Sequence, residues 1–185
     1  MPKIVEANAF RLVDDSNRVR ADLSLVDGEP LLRFMDESGF PVCTIGLSAA
    51  NEPGLSMFAV TEGNNRTRKL DVRVTRTANI PIITLSDDSG NDRIRIAVAA
   101  GQPMINMKSA DGNLQITALV DDGKIGAPDA YVSVSNTSGG GAVMGFSHGD
   151  EMSYGHVAVT EDKSGSVIWR SPSVEDLNED EDEEE

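Results

Sequence analysis

Apolar and polar residues alternate along most of the chain with a period of two. Ile94, Ile96 and Val98 interleave with Arg93, Arg95 and Ala97, and Leu70, Val72 and Val74 interleave with Asp71, Arg73 and Thr75. Val132 and Val134, then Val157 and Val159, repeat the pattern among Ser, Ala and Thr. A two-residue period puts successive side chains on opposite faces of a strand, so the pattern predicts short strands with one face buried and one wet. No segment combines a 3.6-residue period with capping residues, and very little helix is expected.

The strands are punctuated at regular intervals. Aligning on the Gly or Asn of each turn gives Asn17, Gly39, Gly63, Gly90, Gly112, Gly139 and Gly165, separated by 22, 24, 27, 22, 27 and 26 residues. Between these turns fall Pro30, Pro53, Pro81, Pro103 and Pro128. Proline fixes φ and lacks an N–H, so it suits the start of a strand and not the middle of a ladder. The prediction is an all-β chain of about seven strand-turn-strand repeats, with residues 1–8 as a lead-in and 9–173 as the repeat domain. The repeats would form a meander or a stacked array of β-prism or solenoid type, the alternatives being a sandwich, a barrel or a propeller-like arrangement. A transmembrane barrel is disfavoured, because its longer strands carry aromatic girdles and aromatics make up only 4% of this chain.

Two of the units, PLLRFMDESGFPVCTIGL from Pro30 and PIITLSDDSGNDRIRIAV from Pro81, resemble the strand, turn, strand repeats of bacterial hypothetical proteins. They also resemble the β-prism or β-solenoid stems of phage-fibre-like trimers. The resemblance spans roughly residues 9 to 170, with longer turns in the third and sixth units. It implies a structural protein, cytoplasmic or virion-associated. A repeat sheet with one apolar face must cover that face and protect its ends, and self-association does both. A homo-oligomer is therefore expected, a trimer first.

Charge changes the picture mainly at one end. The net charge is −15, but Glu175 to Glu185 holds nine acidic residues and no basic one, which leaves −6 on the first 174 residues. Such a block cannot bury enough apolar surface to offset its ordering entropy, so residues 174–185 are expected to form a disordered acidic tail. The tail would keep the chain soluble or engage a basic protein partner. A negative field and no basic stripe argue against nucleic acid. No stretch approaches the roughly 20 apolar residues of a membrane helix, and MPKIVEANAF at the start shows no apolar export run. The single cysteine, Cys43, excludes an internal disulfide or a multi-cysteine zinc site and reads as a small buried hydrophobe.

Three segments carry candidate chemistry. Asp87, Asp88, Ser89, Gly90, Asn91 and Asp92 offer oxygen ligands for calcium, but the Gly and Glu spacing of an EF-hand fails, and the same residues suit a hairpin turn. GFSHG at Gly145–Gly149 matches G-x-S-x-G with Ser147 as nucleophile, but no alternating strand-helix pattern surrounds it. His148, Asp150, Glu151 and His156 form a divalent-metal set if their loop folds back, against the simpler reading of an exposed polar hairpin end. Arg18, Arg20, Arg66, Arg68, Arg93 and Arg95 lie near turns, where pairing with neighbouring carboxylates is expected over an anion-binding ladder.

The sequence thus predicts a non-catalytic structural or protein-interaction module without a cofactor. The alternative is a small ligand- or metal-binding β-fold enzyme centred on residues 147–156.

Overall fold

The computed structural model describes residues 6–60, 65–120, 130–138, 140–148, 153–160 and 167–170. They form an all-β, antiparallel hairpin meander with fourteen strands and no helix among the described residues. The chain divides into two compact units, Met1–Asp92 and Arg93–Glu185. The first holds β1 (Ala9–Val13), β2 (Val19–Val26), β3 (Glu29–Met35), β4 (Pro41–Leu47), β5 (Pro53–Val60), β6 (Arg66–Val74) and β7 (Pro81–Ser86). The second takes all but the first residue of β8 (Asp92–Ala99), then β9 (Gln102–Lys108), β10 (Leu114–Val120), β11 (Ala130–Asn136), β12 (Gly141–His148), β13 (Ser153–Thr160) and β14 (Val167–Arg170). Within each unit every strand pairs with its chain neighbours. Four of the prolines take the places proline allows: Pro53 and Pro81 open β5 and β7, while Pro30 and Pro103 are second in β3 and β9.

One five-residue turn recurs with different letters. Asp14 Oδ1 accepts the N–H groups of Ser16 and Arg18, both at 3.0 Å. Asp36 does the same for Ser38 and Phe40, Asp87 for Ser89 and Asn91, Ser48 Oγ for Ala50 and Glu52, and Asn136 Oδ1 for Ser138 and Gly140. A side-chain acceptor that satisfies two backbone donors closes the loop in place of a ladder bond. The fourth residue must then adopt positive φ, seen at Asn17 (60°), Gly39 (83°), Asn51 (59°) and Gly90 (83°). Gly112 has φ 74° in the slightly longer loop after β9. Gly63, Gly139 and Gly165 lie outside the described residues.

The repeat alignment marks only turns that follow odd-numbered strands. The opposite ends of two hairpins are tighter, being two-residue turns with both residues at positive φ: Asp27 and Gly28 (54° and 88°), and Ala100 and Gly101 (53° and 86°). Their backbone matches the right-handed twist of the flanking strands. Register shifts occur at Leu12/Val13, Phe34/Met35 and Met57/Phe58, each close to the end of an odd-numbered strand. These bulges leave Arg20, Val42 and Lys69 as the extra residues on the facing strands.

Register sorts the side chains of the first unit into rows that cross all seven strands. One row runs Phe10, Leu23, Leu32, Ile45, Leu55, Val72, Ile83, and a second runs Leu12, Ala21, Phe34, Cys43, Met57, Leu70, Leu85. Every member of both is apolar or a thiol. Between them, on the opposite face, runs Arg11, Asp22, Arg33, Thr44, Ser56, Asp71, Thr84.

The second unit repeats the scheme. Ile96, Ile105, Ala118, Val132, Met144 and Val157 form one apolar row, and Ile94, Met107, Ile116, Val134, Ala142 and Val159 another. Arg95, Asn106, Thr117 and Ser133 occupy the reverse face.

The expectation that the apolar face would be the buried one is reversed within a single chain. Phe10, Leu23, Ile45, Met57, Ile83 and Leu85 are all exposed, whereas Asp22, Asp71 and Thr84 are buried. Among the described residues only Ile82 and Ala97 are buried hydrophobics. The reason is layer count. Among the described residues of each unit no second layer lies against the apolar face, while the polar face is roofed by its own long arginine stems.

Candidate interaction faces

The polar face of the first unit is built around two buried carboxylates. Asp22 lies opposite Arg33, whose Nε and Nη2 donate to the two carboxylate oxygens at 2.8 and 2.6 Å. Arg33 Nη2 also reaches Ser24 Oγ at 3.2 Å. Hydrogen bonding to the carboxylate is the main reason that the Arg33 guanidinium is held above its ordinary range, with the charge attraction adding to it and burial opposing it. Four strands away, Asp71 Oδ1 accepts from Ser56 Oγ at 2.7 Å, and Arg68 and Arg73 approach the same carboxylate at 3.5 and 3.2 Å. The Arg73 Nε and Asp71 Oδ2 atoms make no well-angled hydrogen bond, yet their 3.2 Å ion pair means neither charge is isolated.

Beside Asp71 a cavity of about 560 Å³ is bordered by Glu29, Glu52, Arg68 and Arg73. Its floor passes over Gly46 and Gly54, which face each other across β4 and β5. The charges around it are of both signs, and its two arginines are engaged with Asp71. At its other side the face carries a cation-π contact, with the Arg66 guanidinium 4.4 Å from the centre of the Phe58 ring.

The acidic loop from Ser86 to Asp92 is a turn whose carboxylates go to separate partners. Asp87 closes the backbone, Asp88 takes Lys69 Nζ at 2.6 Å, and Asp92 accepts from Ser86 Oγ at 3.2 Å. Among the described residues no three His, Cys, Asp or Glu side chains gather into a metal-sized group. Asp14 and Asp111, in the turns after β1 and β9, are held below the ordinary carboxylate range. The chief cause at Asp14 is the backbone N–H of Arg18, and at Asp111 the Ser109 hydroxyl.

The arginines near turns divide by role. Arg18 and Arg20 pair with Asp14 at 2.8 and 3.6 Å, Arg68 pairs with Asp71, and Arg93 donates to the carbonyls of Ser109 and Ala110.

Ser147 is not at an elbow. It lies in β12, its backbone paired with Tyr154, and no helix follows among the described residues. His148 ends β12 opposite Ser153, and His156 in β13 faces Gly145, three rungs away. Asp150 and Glu151, the other two members of that set, lie outside the described residues, as do residues 171–185 with the acidic tail.

The apolar face offers the larger feature. In the first unit it is an unbroken field of aliphatic and aromatic side chains. In the second unit it forms an apolar trough of about 400 Å³, bordered by Ile96, Val98, Ile105, Ala118, Val132 and Met144. Sequence reasoning expected this face to be covered by self-association, and in the single chain its described residues are left exposed. No helix among the described residues is long and apolar enough to cross a membrane. No protein-family model matches the chain, and no curated protein matches it significantly.

Proposed function

We propose that the chain is a non-catalytic structural or protein-interaction module that works as a homo-oligomer, a trimer being the leading number, of the kind found in fibre-like β-prism stems. One observation carries this reading. Two apolar rows cross all seven strands of the first unit, and nothing among the described residues of that unit covers them. Contiguous apolar surface on this scale marks an interaction site in a soluble protein. The two buried carboxylates of the other face fit a scaffold, since Asp22 and Asp71 are both tied to arginines. The acidic segment 174–185 would project into solvent and offer itself to a basic protein.

The test is the solution mass of the full chain by light scattering, repeated on a chain ending at residue 174. A discrete multiple of 19.7 kDa in the full chain, retained in subunit number by the shorter one, supports the reading. A monomer in both overturns it.

A further inference from the structure

We infer that what covers the apolar face of β1–β7 is the same face of the other copies of this chain, the sheets turned inward toward one another. The inference rests on the self-association reading and adds to it the surface through which association occurs.

The occupant is constrained by what the face lacks. Across the rows Phe10 to Ile83 and Leu12 to Leu85 the Cys43 thiol is the most polar group. A partner bringing charged or amide side chains would bury them without a hydrogen-bond partner, which is strongly unfavourable. The occupant must therefore bring a broad, flat and almost wholly apolar surface. Another copy brings one of matching width and pleat. The charged residues Asp22, Arg33, Asp71 and Arg73 all lie on the reverse face, so copies packed this way bury no unpaired ion.

Area supports the same occupant. Phe10, Leu12, Leu23, Phe34, Ile45, Met57, Ile83 and Leu85 are between 39% and 66% exposed in the single chain. With other exposed members of the face, that is on the order of 800 Å² of apolar side chain in this unit alone, about what one partner contributes to a stable interface. Apolar sheet faces turned toward one another interdigitate their inner side chains, and such packing would supply the core that the unit lacks by itself.

Cys43 sits within this face and is the only cysteine, so the unaltered protein carries its own probe. The experiment combines light scattering with the rate at which Cys43 reacts with an aromatic disulfide reagent, in native buffer and in urea. The assembled chain should react at least about 100-fold slower than the unfolded chain, far beyond the several-fold slowing of a half-exposed thiol. The variants Ile45→Glu and Ile83→Glu should lower the mass to 19.7 kDa or abolish the β-type circular dichroism.

If the chain is assembled but Cys43 reacts within about tenfold of the unfolded rate, this face is not the seam, although self-association stands. The inference also fails if both variants keep the assembled mass and the β signal. A monomeric wild-type chain overturns the self-association reading and this inference with it. Because the thiol measurement uses the unsubstituted chain, a variant that fails to fold does not decide the outcome.

Discussion

Asp22 and Arg33 stand directly opposite each other on β2 and β3, and the guanidinium closes on both oxygens of the carboxylate at 2.8 and 2.6 Å. The pair holds the polar face together because Asp22 is buried and has no access to bulk water in exchange. Removing the cation while keeping the buried anion is the costly change. Arg33→Met should destabilise by about 2 kcal/mol, below the full cost of breaking a deeply buried pair because Arg33 keeps partial exposure. Asp22→Asn with Arg33→Met should recover much of that loss. Urea unfolding of the single and double variants checks both statements. The raised guanidinium pKa makes a contribution that is fully present below the ordinary arginine range and is lost only as pH rises through the folded-state value. No pH dependence from this pair is expected near neutrality.

Acid should act at the turns. Asp14 and Asp111 are held below the ordinary aspartate value of 3.8 by backbone and hydroxyl donors. A folded-state pKa lower than the unfolded one gives stability that is complete above the unfolded value and is lost as pH falls through the folded value. Their contribution should therefore persist at pH 5 and disappear progressively below about 3.8. Asp14→Asn and Asp111→Asn should each make the acid-induced loss of β-type circular dichroism less steep. An unchanged acid transition in both would show that these carboxylates are not held as described.

Asp87 offers a test of the shared turn. It makes the same two backbone contacts as Asp14, Asp36, Ser48 and Asn136, and these need an acceptor oxygen, not a charge. Asp87→Asn should keep them and stay within about 0.5 kcal/mol of wild type. Asp87→Ala leaves two turn donors to water and should cost about 1 kcal/mol, in line with the loss of other side-chain caps. Thermal or urea unfolding in which the two variants behave alike would mean that the carboxylate acts by charge.

Much of this architecture was legible in the chain because both of its signals are local. Alternation such as Leu70, Val72 and Val74 fixes strand and face, and the acceptor at the start of a turn with Gly or Asn three residues later fixes the reversal. The bulges were not legible, since an extra residue such as Val42 or Lys69 interrupts the alternation without leaving a composition of its own. The turn at Asp27 and Gly28 carried the Asp-Gly signature of a two-residue hairpin, but the repeat alignment registered only the opposite ends of the hairpins. Exposure of the apolar face was the hardest feature to read. Alternation says which side chains share a face, and it is silent on whether anything in the same chain will lie against it. The same limit applies to the histidine set, because convergence of His148 and His156 is a question of register that letters alone do not answer.

Gly46 marks the tightest approach within the first unit. Its φ of 157° places the position where a Cβ would run into the carbonyl oxygen of Pro30 on β3, with Leu31 Cδ2 at 2.7 Å and Leu31 Cα at 3.0 Å. Leu31 could turn aside, but the Pro30 carbonyl belongs to the backbone and can retreat only by pushing β3 away from β4. Gly28 supplies the comparison, having φ 88° in an open turn where a Cβ would meet nothing within 4 Å. Gly28→Ala should therefore lose only the left-handed preference of glycine, about 1 kcal/mol, whereas Gly46→Ala adds the clash and should cost about 2 kcal/mol or more. Urea midpoints measured side by side decide the matter. Equal losses would mean that the two strands have room to part at Gly46, and that the close contact between β3 and β4 is not what fixes the ladder there.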